Sequence, residues 1–291
     1  MFDGFETRDV EVDGVRVHAR IGGAGAPLLL LHGYPQTHAM WHELAPRLAR
    51  DHTVVVPDLR GYGDSGKPAA GPDHAEYGKR AMAHDVAGLM TELGFDTFAA
   101  AGHDRGARVL HRLALDHPDR VTRAAVLDIV PTRHLFANVD RDFATIYYHW
   151  FFLAQAAPLP ERLIGGDPEW FLREKLKRWS AVPDSFAAEA VYEYVRCFSD
   201  PAAIAASCED YRAGASIDLV HDDADAAAGN LVRCPLLVVW GERGFVGQKY
   251  EVLDVWREYA TDVRGASLDC GHFVVEEDPA GSAEVLIPFF A

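Results

Sequence analysis

Gly102-His103-Asp104-Arg105-Gly106 is the stretch on which the reading of this chain turns. It has the frame of a nucleophile elbow, G-x-S-x-G, in which the middle residue sits on a strained strand-to-helix turn and the next backbone N–H points to the same spot. A carboxylate stands where that frame usually holds serine. The flanks agree with the turn: Thr97 to Ala101 predicts a buried strand entering it, and Ala107 to His117, apolar at Val109, Leu113 and Ala114, predicts a helix leaving it. A carboxylate that attacks saturated carbon expels a leaving group and becomes an ester, which water must then hydrolyse. Aspartate is also a favoured cap of a helix N-terminus, so the partners of Asp104 decide between the two roles.

Outward from the elbow the chain alternates. Thr7 to Val12 and Val15 to Ile21 flank Asp13-Gly14 and predict a hairpin. Six short apolar runs follow: Pro27 to Leu31, Thr53 to Val56, Thr97 to Ala101, Arg123 to Leu127, Pro235 to Trp240 and Arg264 to Leu268. Helical patterns such as Trp41 to Ala49 and Ala81 to Leu93 lie between most of them. The class is therefore α/β, a mostly parallel eight-stranded sheet with helices on both faces. Between Leu127 and Leu236 helices and aromatics appear without a convincing strand, as in Ala187 to Cys197. We expect residues 1–132 and 226–291 to form the core and residues 133–225 a helical cap over the strand ends, where open α/β sheets bind ligands. The acidic, alanine-rich Asp222 to Ala228 would return the chain to the core.

Three further segments supply what an aspartate nucleophile needs. Gly271-His272-Phe273 follows the last predicted strand, where the histidine of such a constellation falls in chain order. A neutral His272 can take a proton from the water that attacks the Asp104 ester. Many relatives of this fold carry the orienting acid after the strand matching Leu236 to Trp240, but Gly241-Glu242-Arg243-Gly244-Phe245-Val246 contains no Asp. Leu127-Asp128-Ile129-Val130-Pro131 places a carboxylate one strand earlier, so Asp128 is the expected third member and Glu242 its fallback. His32-Gly33-Tyr34-Pro35 reads as a loop donating an oxyanion N–H from Tyr34, with the N–H of Arg105 as second donor. Arg105 and Arg108 are three apart on the first helical turn and suit a carboxylate ligand, because a guanidinium fork binds carboxylate in a bidentate manner. Asp58 and other interior acids are their alternative partners.

Composition bounds the function. At 291 residues and 49% hydrophobic content the chain can build one large core. A formal net charge of −16 excludes nucleic acid and anionic membrane surfaces as partners, which require a basic footprint. Cys197, Cys208, Cys234 and Cys270 have neither paired metal-ligand spacing nor disulfide-scaffold density, so reduced core thiols are expected. Met1-Phe2-Asp3-Gly4 starts no basic, apolar leader and no run reaches membrane-spanning length; a cytoplasmic location is expected.

Gly-His-Asp-Arg-Gly-x-Arg in the elbow, the early acid in Leu-Asp-Ile-x-Pro, the His149-Trp150 pair and Asp210-Tyr211-Arg212-Ala213-Gly214 together resemble the fluoroacetate dehalogenases of the α/β-hydrolase fold, over nearly the whole chain. The resemblance implies that Asp104 displaces halide from a haloacetate, Arg105 and Arg108 hold its carboxylate, Asp128 and His272 complete the triad, and His149, Trp150 and Tyr211 bind the leaving halide. It also implies a small haloacid partner, a homodimer, and no cofactor or metal. Fluoride leaves poorly, so a dry site must replace its hydration, and an imidazole N–H, an indole N–H and a phenol O–H could do so. Tyr34 stands where phenylalanine is expected, and Trp179 could close the pocket. The alternative is an epoxide hydrolase using the same Asp nucleophile and His base, with Tyr147, Tyr148, Tyr192 and Tyr194 as candidate acids; it leaves the arginine pair unexplained. A ligand-binding receptor is disfavoured because nucleophile, base and acid are all present, and an esterase because the chain has no G-x-S-x-G.

Overall fold

The computed structural model describes every residue from Met1 to Ala291. Its eight strands are β1 (Glu6–Val12), β2 (Val15–Gly22), β3 (Ala26–Leu31), β4 (His52–Pro57), β5 (Phe98–His103), β6 (Val121–Leu127), β7 (Leu236–Gly241) and β8 (Val263–Leu268). They form one sheet in the order β1-β2-β4-β3-β5-β6-β7-β8. β2 pairs antiparallel with β1 and with β4, and every other pair is parallel. The mostly parallel α/β sheet expected from the alternation is the one observed. Its central strands are continuous apolar runs, such as Leu28 to Leu31 and Leu236 to Val239, because helices cover both faces. Asp13 and Gly14 close the first hairpin with φ of 46° and 81°, the left-handed pair that matches strand twist.

Two local expectations need correction. A continuous helix over Trp41 to Ala49 does not form; the segment is a 3₁₀ turn, His38–Trp41, followed by a short helix, Ala45–Leu48. Pro46 has no N–H to continue a helix and sits instead in the first turn of a new one. At the elbow β5 runs two residues beyond Ala101, since His103 still pairs with Leu127 of β6, and the helix begins at once with Arg105–Asp116.

Eight helices and no strand lie between β6 and β7. Those that reach the site are His149–Leu153, Pro168–Trp179, Ala188–Phe198 and Pro201–Gly214. The expected boundaries at 132/133 and 225/226 fall inside the helices Thr132–Ala137 and Ile217–Ala228. The acidic run Asp222 to Ala228 ends the second of these, and its Asp222 and Asp225 bind Arg112 of the elbow helix at 2.9 and 2.5 Å. No helix is long and apolar enough to cross a membrane.

Close packing of bare backbones fixes the elbow. A Cβ on Gly106 would lie 2.4 Å from the carbonyl oxygen of His32 and 2.7 Å from that of Leu31, and one on Gly102 would lie 2.6 Å from the carbonyl oxygen of Gly106. These neighbours are backbone and cannot swing aside. Gly106→Ala is therefore expected to lower unfolding free energy by about 1–3 kcal/mol, the usual size of an overpacking penalty, as measured by denaturant titration.

Candidate active site

Asp104 occupies the turn between β5 and its helix with φ 46° and ψ −115°, strained for a residue with a side chain. Such strain marks functional turns. The Tyr34 N–H donates to Asp104 Oδ2 at 3.0 Å, which leaves Oδ1 as the oxygen able to attack. The N–H of Arg105, expected as a second donor, makes no bond to this carboxylate. Gly33 has to be bare here, because a Cβ would come within 2.7 Å of Asp104 Cβ. Burial opposes ionisation of Asp104, but the nearby His272, His103, Arg108 and Arg105 outweigh it and hold the carboxyl below its ordinary value. It is an anion at neutral pH.

Asp128 sits at the carboxyl end of β6, also at positive φ (52°), and accepts the Nδ1–H of His272 at 2.6 Å and the Gly241 N–H at 3.0 Å. With Nδ1 so engaged, His272 presents Nε2 to the site. Burial would lower the imidazole pKa, yet the hydrogen bond and charge of Asp128 prevail and raise it. Glu242 is not near this pair: it is exposed and accepts from Ser267 at 2.5 Å.

The arginines are held differently from one another. Arg105 is fully buried and donates Nε to Asp210 Oδ2 at 2.9 Å and Nη2 to the Asp210 carbonyl at 2.7 Å. The same carboxylate takes the Tyr62 hydroxyl at 2.7 Å and the Lys79 ammonium. Asp58, the alternative partner, is instead engaged by the backbone and ring of His38 and the Asp64 N–H. Arg108 donates Nη1 to the Val130 carbonyl at 2.9 Å and the Thr132 hydroxyl at 3.1 Å. Arg105 Nη1 and Arg108 Nε are left buried without a partner, as are the Tyr34 hydroxyl and His149 Nδ1. Buried donors without acceptors are costly and call for an explanation; a small anion among them would supply one.

Rings from the helical insertion converge on the same place. Trp150 lies against both guanidinium groups, with Arg105 at 5.2 Å and Arg108 at 4.6 Å from its ring centre. Tyr211 packs edge-on to Trp150, His149 and Tyr34 at 5.5, 5.6 and 5.3 Å, and Arg105 sits 4.2 Å over its ring. Burial, reinforced by neighbouring cations, keeps His149 neutral, and burial beside Asp104 keeps Tyr211 a phenol. Both stay hydrogen-bond donors at neutral pH. The Trp179 ring lies tilted against His149 at 4.5 Å and edge-on to His272 at 5.5 Å. The expected triad, the two arginines, the three halide donors, Tyr34 and Trp179 are thus in one cluster, and Glu242 lies outside it.

Sequence reasoning missed three members. Asp210 has no local pattern that assigns it a partner, although a buried arginine demands a carboxylate, and Lys79 carries no local signal at all. Glu277 accepts from the Gly271, Phe273, Ala181 and Val182 N–H groups at 2.7–2.9 Å, tying the His272 loop to the loop after Trp179. Of the four candidate acidic tyrosines, Tyr192 is exposed, Tyr148 accepts from Lys175 and Tyr194 donates to Glu276. Only Tyr147 stays beside the site, its ring 5.2 Å from that of His149.

The model of the α/β hydrolase fold family matches residues 26–279. A fluoroacetate dehalogenase from Burkholderia sp. is 49% identical, the match covering all of this chain and 95% of that protein. A soluble epoxide hydrolase from Corynebacterium sp. (strain C12) is 36% identical over 96% of this chain and 95% of its own. The crystal structure of a putative α/β hydrolase from Nostoc sp. PCC 7120 superimposes with a TM-score of 0.98 at 54% identity, covering 99% of both chains.

Because Asp128 is what raises the His272 pKa against burial, Asp128→Asn is expected to move its titration midpoint down. NMR titration of the imidazole measures this; an unchanged midpoint would show that Asp128 does not set the base.

Proposed function

This chain belongs to the α/β-hydrolase fold family, and within it we propose a haloacetate dehalogenase, which converts fluoroacetate or chloroacetate to glycolate and halide. The observation that carries this reading is the set of unpartnered donors around an ionised Asp104: two guanidinium groups, a neutral imidazole and a tyrosine hydroxyl, all buried. The similarity to the Burkholderia dehalogenase supports it. In this proposal residues 133–225 form a cap whose His149, Trp150 and Tyr211 take the halide, while Arg105 and Arg108 take the carboxylate.

Asp104 Oδ1 attacks the halogen-bearing carbon, and the electrons of the carbon–halogen bond leave with halide toward the three cap donors. Displacement from the far side is helped by the two arginines, which fix the carboxylate so that the carbon is presented to Asp104. The product is an ester whose carbonyl oxygen remains at the Tyr34 N–H. His272 Nε2 then removes a proton from water as its oxygen attacks that carbonyl carbon, and Asp128 stabilises the imidazolium formed. On collapse of the tetrahedral intermediate the imidazolium returns its proton to the departing alkoxide oxygen, glycolate leaves, and Asp104 is restored as a carboxylate with the remaining proton passing to solvent. A site this closed, with Asp104 and His272 each under a tenth exposed, suits a two-carbon substrate. A homodimer and a cytoplasmic setting with reduced thiols belong to the same reading; all four cysteines are free and buried.

The epoxide hydrolase alternative has the Corynebacterium relative and Tyr147 beside His149 in its favour, so the deciding assay includes both chemistries. Halide release from fluoroacetate and chloroacetate is followed with an ion-selective electrode beside diol formation from a small epoxide. Halide without diol is expected; diol without halide would replace this reading. With His272→Ala the ester is expected to accumulate, because alkylation needs no base while hydrolysis does. Mass spectrometry of the variant after fluoroacetate should show the added carboxymethyl mass on Asp104.

Tyr211→Phe separates halide binding from packing, since it removes one oxygen and keeps the ring. Fluoride concentrates its charge and depends most on strong donors. A loss in kcat of roughly tenfold to a thousandfold is expected with fluoroacetate, comparable to deleting one oxyanion donor, and an appreciably smaller loss with chloroacetate. Equal losses would assign Tyr211 to packing.

A further inference from the structure

Lys175 is a buried cation that none of these steps uses. It lies on helix Pro168–Trp179, 2% exposed, and its ammonium makes one hydrogen bond, to the Tyr148 hydroxyl at 2.7 Å. The rings of Tyr148, Phe171 and Trp179 surround it at 4.0, 5.1 and 5.2 Å. No carboxylate pairs with it. The acids of its own helix are drawn off elsewhere, Glu169 to Arg173 at 2.8 Å and Glu174 to Arg178 at 2.9 Å. Burial, with the like charge of Arg178, brings the ammonium down to about 7. An ammonium has three N–H donors, so two are unmatched. Cation–π contacts offset part of the desolvation, but in a buried place they do not replace an anion.

The location gives this vacancy of charge a meaning. Trp179 is the wall shared with the catalytic cluster: one neighbour of its ring is Lys175, and others are His149 and His272. A halide expelled toward His149 therefore has the nearest unpaired ammonium one indole away. The ion has to leave a protein whose net charge is −16, and a single local cation lowers the barrier along one route and not others.

We propose that Lys175, with the Tyr148, Phe171 and Trp179 rings, is a second halide-binding station, beside the catalytic pocket, through which the product anion passes. This rests on the dehalogenase reading for its biological role but not for its binding test. The station holds a monovalent anion by the two unmatched ammonium N–H groups, the ring faces steadying the ammonium itself. Its loss slows product departure and leaves carbon–halogen cleavage intact.

Bromide is the probe, and quenching of tryptophan emission at pH 6, where Lys175 is charged, is the readout, because Trp179 borders the station. Wild type is expected to bind bromide in two phases. Lys175→Met, which keeps the length and fills the ring cage, should remove one phase or weaken it about tenfold, the scale of one charge-assisted hydrogen bond. Tyr211→Phe should alter the other phase and spare this one. Lys175→Gln, which can still donate to Tyr148, serves if the Met variant does not fold by circular dichroism. In turnover, the Lys175 variants should show lower kcat with an unchanged fluoride burst in the first turnover. Bromide titrations of both Lys175 variants that superimpose on wild type overturn the station. A protein that releases no halide from any haloacetate, yet loses a bromide phase on Lys175→Met, overturns the dehalogenase reading and keeps the binding site.

Discussion

One buried carboxylate joins the two halves of this molecule. Asp210, on the helix Pro201–Gly214 of the insertion, gathers Arg105 from the elbow helix, Lys79 from the helix Lys79–Glu92 and the Tyr62 hydroxyl. A second buried acid, Asp218, stands 3.7 Å from the Lys79 ammonium, so two cations face two carboxylates there, and the attraction locks the insertion onto the sheet. Removing one partner from a buried pair of this kind typically costs about 3–5 kcal/mol, since the other charge is left uncompensated in a poor solvent. Tyr211 is the next residue in the chain. Its ring reaches the site because Asp210 is anchored, and Trp150 and His149 pack in turn against that ring.

The same arrangement resolves how an acidic protein can accept an anion. Net charge acts at long range and is screened over about 10 Å at ordinary ionic strength, whereas the site is governed by what lies within a few ångströms in a buried medium of low polarity. There the unpaired donors are Arg105 Nη1, Arg108 Nε and the Tyr34 hydroxyl, with the unpaired Nδ1 of the neutral His149 ring beside them. Fixing three other N–H groups of Arg105 on Asp210 is what makes its remaining edge directional. A free guanidinium on a surface would spend part of its attraction on becoming ordered.

Backbone strain and side-chain charge act together at the nucleophile. Asp104 and Asp128 both hold positive φ at the carboxyl ends of neighbouring parallel strands. Each carboxylate is pinned by one backbone N–H, from Tyr34 and Gly241 respectively, so that the remaining oxygen is committed to a single task. His272 is held by Asp128 through Nδ1, and its charge also acts on Asp104. Glu277 fixes the loop that carries His272 and the loop that follows Trp179, coupling the base to the wall of the pocket.

The order of strands and helices, the elbow and the carboxylate at its tip could all be read from the amino-acid sequence, because hydrophobic period, glycine and turn chemistry are local properties. Asp128 could be read too, since a carboxylate at the end of a parallel strand points where the other strands end. The continuous helix expected over Trp41 to Ala49 failed where Pro46 overrides local apolar pattern. What only the tertiary structure decided was pairing at a distance: that Arg105 belongs to Asp210 across 105 positions and not to Asp58, that Tyr147 and not Tyr192 stands beside His149, and that Lys175 is buried without a carboxylate. Charges and rings carry no address in the sequence. Which of them meet is set by how helices of the insertion settle on the sheet, a balance of burial and desolvation summed over the whole core.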